Sequence, residues 1–329
     1  MKDKLNSNYF RVDFVQPGLF FKAGFLSLFL FMLLILPSNL PGIYTLQQKT
    51  TYLAVYAEEP LSVSLRQSLS ALDTRIDDLQ MSLGIYSNDL VPVYLVKDHK
   101  SYQNMALGKD KIVEFSEAFY SGSEGKIYIR PINEIKDSLG KTLVHEYIHW
   151  YLESIFIRTP LWFHEGMATQ YSGQMGFERY LYFLQESFIG HTSDLFRMSY
   201  KYPEKQSDWQ IFYLSSSMAI RFMSEKKAKE WGRFWDLVAN QKRAGKKAVF
   251  NDCFAMAYRS NLYDFNQQYA AYVKSLRFQY LFWSINSLIA LCLPIILIIT
   301  HHKRRKRMAL LPDLPEYVDD EEDTEDLED

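Results

Sequence analysis

Two cysteines in 329 residues, Cys253 and Cys292, leave no material for a disulfide framework or a thiolate metal cluster. Asn-x-Ser/Thr acceptors are missing between the two most apolar segments, so nothing points to a glycosylated secretory-pathway protein. There is no internal repeat. No Gly-x-Ser-x-Gly elbow surrounds Ser215-Ser216-Ser217, which removes a serine-hydrolase reading. The formal net charge of −2 says nothing about nucleic acid by itself, and no nucleic-acid partner is expected. The charge is unevenly spread, however. Basic residues bunch at Lys303-Arg304-Arg305-Lys306-Arg307, and acidic ones crowd the stretch from Asp313 to Asp329.

Two segments have the character of membrane spans, which makes the lipid bilayer an expected partner. The first, residues 19–36, is rich in Phe and Leu, with Lys22 placed to snorkel to the interface. Pro37-Ser38-Asn39-Leu40-Pro41-Gly42 offers no small-x-small cleavage site after it, so a retained signal anchor is expected over a cleaved signal peptide. The second, Phe278 to Thr300, carries no charge and runs into the basic cluster, which marks the cytoplasmic side. Lys2, Lys4, Arg11 and Lys22 agree for the first span. The expected layout is a two-span protein of a bacterial cell membrane. Residues 1–18 and 301–329 are then cytoplasmic, the last part an acidic solvated tail, and residues 43–276 form one extracytoplasmic domain.

Within that domain, Glu59 to Leu83 reads as one helix, with Leu61, Leu65, Leu69, Leu72, Ile76 and Leu79 at helical spacing and Pro60 in its first turn. Val91 to Val96 has strand character, Pro92 placing it at an edge or a strand start. Gly125 to Arg130 alternates and stops at Pro131, which suits a strand ending or an edge. Helices are expected from Asp137 or Ser138 to Ser154, and from Thr159-Pro160 as cap and first position. Further helices are expected over Asp208–Met223, Lys226–Gln241, Val249–Tyr258 and Leu262–Leu276. The class is α+β: a small mixed sheet in front of a mostly helical remainder.

The chemistry concentrates in His145-Glu146-Tyr147-Ile148-His149. On a helix, positions i and i+4 share a face, so His145 and His149 can grip one metal ion together. Glu146 points aside, where it can take a proton from a water activated by that metal. A catalytic zinc takes three protein ligands and keeps one position open. Glu165, in Trp162-Phe163-His164-Glu165-Gly166-Met167-Ala168, is placed to be the third from a second helix. His164, about 100° round that helix from Glu165, is expected to support the ligands or face substrate. Tyr147, Trp150, Tyr151 and Trp162 are expected in the core or the cleft wall.

These two elements resemble the gluzincin metallopeptidases of the peptidase MA superfamily, nearest to compact bacterial members that pair H-E-x-x-H with a downstream W-x-x-E-G-x-A. The resemblance runs over residues 90–276 and is strongest over 140–175. It implies a zincin-like fold, one Zn2+ held by His145, His149 and Glu165, and a peptide or protein substrate. In aminopeptidase-type relatives a downstream tyrosine hydrogen-bonds the oxyanion, and Tyr213 in Ile211-Phe212-Tyr213-Leu214 resembles that position. Those enzymes also hold a free amino terminus with an upstream Gly- and acid-containing motif. Phe119 to Arg130 lacks it, which favours endopeptidase over aminopeptidase activity. The expectation is a membrane-anchored zinc metallopeptidase with Glu146 as general base. The rivals are a zinc hydrolase of another amide, and a catalytically inactive zincin-fold membrane scaffold or sensor.

Overall fold

A computed structural model describes residues 43–107, 116–135, 138–191 and 194–310. The expected first span and the acidic tail lie outside the described residues. The chain opens with antiparallel strands β1 (Thr45–Lys49) and β2 (Leu53–Ala57), followed by helices α1 (Val63–Ser70) and α2 (Leu72–Leu83). The single helix expected over 59–83 is thus two. The first starts only after Ser62, whose hydroxyl accepts from the Leu65 N–H, and Pro60 stays outside it. Strand β3 (Val91–Leu95), helix α3 (His99–Ala106) and the hairpin β4 (Ala118–Ser121) and β5 (Lys126–Ile129) follow.

These strands form one sheet in the order β1-β2-β3-β5-β4, parallel through β2, β3 and β5 and antiparallel at both ends. That order decides between two alternatives: Pro92 and Pro131 mark a strand start and a strand end, and neither strand is an edge. β3 is interior, with Pro92 at its start opposite Ala54. β5 is also interior, because Tyr94 and its neighbours pair with it on one side and β4 on the other. Among the described residues the edge strands of this sheet are β1 and β4, and β4 is the one that borders the helical part. The two faces of the sheet differ in chemistry. Val55, Val93 and Ile127 point into the core, fully buried. On the other face a cross-strand row of Tyr56, Tyr94, Tyr128 and Phe119 stacks ring on ring at 5.0–5.4 Å, lapped by Tyr102 of α3.

The helical part begins with α4 (Leu139–Ile155), capped by Ser138 as expected, its hydroxyl accepting from the Lys141 N–H. A two-residue strand β6 (Phe156–Ile157) leads to α5 (Leu161–Tyr171). The reversal between them uses Arg158 at φ +54°, a left-handed conformation that costs a non-glycine residue about 1–2 kcal/mol. Pro160, not Thr159, occupies the cap position of α5, and its carbonyl accepts from Phe163 and His164. Next come α6 (Phe177–Phe188), unread in the sequence, and α7 (Trp209–Arg221) with a π turn at Phe222–Lys226. Helix α8 (Ala228–Arg243), strand β7 (Ala248–Val249, parallel to β6) and helix α9 (Phe250–Tyr258) complete the globular part. An aromatic core from these helices, with Phe156, Trp162, Phe163, Phe234 and Phe250 in mutual ring contact, fixes the base of α5.

The last helix, α10, runs unbroken over Leu262–Met308. The expected separate helix at 262–276 and span at 278–300 are one element, because neither Gly nor Pro interrupts the chain before Pro294. Its first part buries Phe265, Tyr269, Val273 and Leu276; from Phe278 to Thr300 it is uncharged and largely exposed, and its last turns carry the basic cluster. Among the described residues it is the one helix long and apolar enough to cross a membrane.

Candidate metal centre and cleft

Helix periodicity puts His145 and His149 on one face of α4, and the tight Arg158 reversal brings α5 back across that face. Glu165 then sits against both imidazoles: its Oε2 lies 3.4 Å from His145 Nε2 and 3.7 Å from His149 Nε2. Ligand atoms about 2.0–2.1 Å from a tetrahedrally bound ion lie about 3.3–3.4 Å from one another, so this spacing fits a small divalent metal. A second observation agrees. Glu165 Oε2 is buried with no hydrogen-bond partner, although its Oε1 accepts from Tyr202. A buried carboxylate oxygen with no well-formed hydrogen bond, its nearest polar neighbours the two imidazoles, costs free energy unless something binds it. The three residues form a buried or half-buried group able to hold a metal ion, as the sequence led us to expect.

Supporting contacts surround the trio. His164 projects beside His149, Nδ1 to Nδ1 at 3.4 Å with the rings stacked, and does not join the ligand set. A histidine that binds metal through Nε2 needs an acceptor at its Nδ1–H, and His164 stands where that acceptor belongs. Tyr202, in the segment between α6 and α7, donates to Glu165 Oε1 at 2.5 Å. Nothing in the sequence marked Tyr202; it lies in Lys201-Tyr202-Pro203, outside either motif.

The approach of α5 to α7 is as close as backbones allow. A Cβ on Gly166 would fall 2.4 Å from the Ser216 carbonyl oxygen and 2.7 Å from Ile220. The residue after Glu165 is therefore glycine because α7 is pressed against it. Ser215, Ser216 and Ser217 are buried in this crossing as small packing residues. The crossing carries Tyr213 into the cleft, its ring 6.4 Å from that of His145.

Two lobes meet at His145, Glu146 and Tyr213. One, about 350 Å³, runs along β4 past Tyr120, Gly122 and Glu153. The other, about 380 Å³, is bordered by Thr142, Gln174, Arg179 and Trp209. Among the described residues the cleft thus has a lobe on each side of the metal group, with the edge strand β4 as one wall. Tyr120 of β4 donates to Glu153 of α4 at 3.0 Å, tying that wall to the ligand helix.

Burial divides the titrating groups. It pushes the Glu146 carboxyl up to about 7, helped by the Glu165 charge and opposed by His145. Burial also pushes Glu165 upward, but His149, His145 and the Tyr202 hydroxyl outweigh it and hold the group well below the usual carboxylate range. His149 and His164 are driven down by burial, so both stay neutral near pH 7, the form that can ligate or accept. Burial and the Glu165 and Glu146 charges keep the Tyr213 phenol protonated, and hence a donor.

Compared with known proteins, the chain matches no family model and no curated protein.

Proposed function

We propose that this chain is a membrane-anchored zinc metallopeptidase of the gluzincin kind, cutting peptide bonds outside the cytoplasm. The observation that carries the reading is the meeting of a three-ligand group with a separate buried carboxylate, Glu146, in a cleft with a lobe on each side. A structural metal site needs neither the extra carboxylate nor the cleft, which weighs against a scaffold. Two imidazoles and one carboxylate form a donor set that catalytic zinc takes. Zinc, when bound, would supply a Lewis acid that acidifies water and polarises a carbonyl.

The residues of the chain do the rest. Glu146, buried beside the ligand group and not part of it, removes the proton from the attacking water and hands it to the leaving nitrogen. Tyr213 donates to the oxygen of the scissile carbonyl as negative charge builds on it, an interaction worth roughly 3–4 kcal/mol per good donor. An extended substrate pairs with the edge of β4, whose backbone groups align a peptide without demanding sequence. The two-sided cleft favours cutting within a chain over trimming from an end. The test is to expose a mixed peptide library to the zinc-loaded full chain, beside Glu146→Gln, and map new termini by mass spectrometry. Internal cuts absent from the variant are expected. A folded, zinc-loaded protein that cuts nothing would turn the reading toward the scaffold.

A further inference from the structure

We propose that the substrates are polypeptides tethered to the same membrane, cut at a short height above the bilayer that α10 fixes; this rests on the peptidase reading above. α10 leaves the core of the folded domain and enters the apolar run with no loop between. Inside the domain it is clamped by Phe265, Tyr269, Val273 and Leu276, and the Tyr269 hydroxyl donates to the Ser215 carbonyl at 2.9 Å. From that bond to the cleft the path is short. Ser215 lies two residues past Tyr213 on α7, and the next carbonyl, Ser216, packs on Gly166 beside Glu165. The metal group and the Tyr269 anchor therefore pack against the same turns of α7, and the height of the cleft is counted from Tyr269 with an allowance of about one helix diameter, 10–12 Å, in either direction.

Phe278 opens the uncharged stretch nine residues beyond Tyr269, about 14 Å along the axis. The boundary is sharp. Lys274 and Arg277 are the last charges before it, and Tyr280, Phe282 and Trp283 in the first turns suit an interfacial aromatic belt. A domain on a flexible linker would sample many heights; one continued by its own buried helix holds one. Extended chain rises about 3.3 Å per residue, so the favoured bond in a tethered substrate lies within roughly eight residues of its membrane border.

The test uses the zinc-loaded full chain in liposomes and one peptide sequence that it cuts in solution. That peptide is then lipid-anchored through uncleavable spacers of increasing length. The expected result is a rate optimum at one scissile-bond height no more than about 25 Å above the bilayer, at least about ten-fold above the untethered peptide, from the raised effective concentration. A seven-residue helical insertion after Arg277 lifts the domain by about 10 Å while turning it only about 20°, and should lengthen the optimum by about three residues. Energy transfer from a dye on Ser123→Cys, in a Cys292→Ala background, to labelled headgroups reads the height without activity and should report the same lift. Equal cutting of tethered and untethered peptide, or an optimum that ignores the insertion, overturns the fixed height and leaves the peptidase standing. If no peptide is cut above the Glu146→Gln level, in solution or tethered, the peptidase reading fails and this inference with it.

Discussion

Glu146 and Glu165 are both buried carboxylates in one cluster on neighbouring helices, yet their surroundings treat them in opposite ways. On the Glu165 side two imidazoles and a tyrosine hydroxyl converge, and the carboxylate is held ionised with one oxygen bare. On the Glu146 side burial dominates and the carboxyl is pushed up to about 7. The difference teaches how to divide the labour: a group held ionised is fit to bind a cation, and a group poised near neutrality is fit to move a proton.

That division can be broken from either side. The largest expected effect is on turnover. Glu146→Gln keeps shape and hydrogen-bonding capacity but cannot accept a proton, and should lower kcat by roughly 10²–10⁴-fold with KM little changed, read by peptide cleavage kinetics. Next, Gly166→Ala attacks the geometry on the Glu165 side. Its methyl meets the Ser216 carbonyl at 2.4 Å, and the strain should destabilise the fold by about 1–3 kcal/mol in a denaturant titration. Tyr202→Phe strips the hydrogen bond from Glu165 Oε1 and should weaken zinc binding by roughly ten-fold, with chemistry per bound zinc almost intact.

The subtlest prediction concerns pH. In the metal-free protein the folded pKa of Glu146 stands above its unfolded value. The protonated form therefore stabilises the fold, and this contribution is lost as pH rises from the ordinary carboxylate value through about 7. Metal-free Glu146→Gln should consequently melt higher than the native chain at pH 8, and by less at pH 5. In the zinc-loaded protein the nearby positive charge lowers that pKa, so kcat/KM should fall as pH drops below neutrality, with an acid limb under about 7.

What the sequence disclosed follows where local rules suffice. The α4 boundaries were legible because Ser138 caps the helix with its own hydroxyl and the His spacing matches its period. His145, His149 and Glu165 could be gathered because their motifs report on one another. Edge and interior could not be told apart for Lys126–Ile129, since alternation and a following proline describe both. The pairing of Tyr94 with Tyr128, distant in sequence, decides it. The helix break at Ala71 was masked by an uninterrupted leucine period across two helices. Tyr202 was invisible because its role depends on a fold that returns the segment between α6 and α7 to Glu165, a contact between residues far apart in the chain.

The most direct test of the central claim is a calorimetric zinc titration of the chelator-stripped full chain, with Glu146→Gln and Glu165→Gln in parallel. The account predicts one site per chain, unchanged or slightly tightened in Glu146→Gln and weakened by about a hundred-fold or more in Glu165→Gln. Equal affinity in the native chain and Glu165→Gln, or a loss confined to Glu146→Gln, would contradict the assignment of ligand and base.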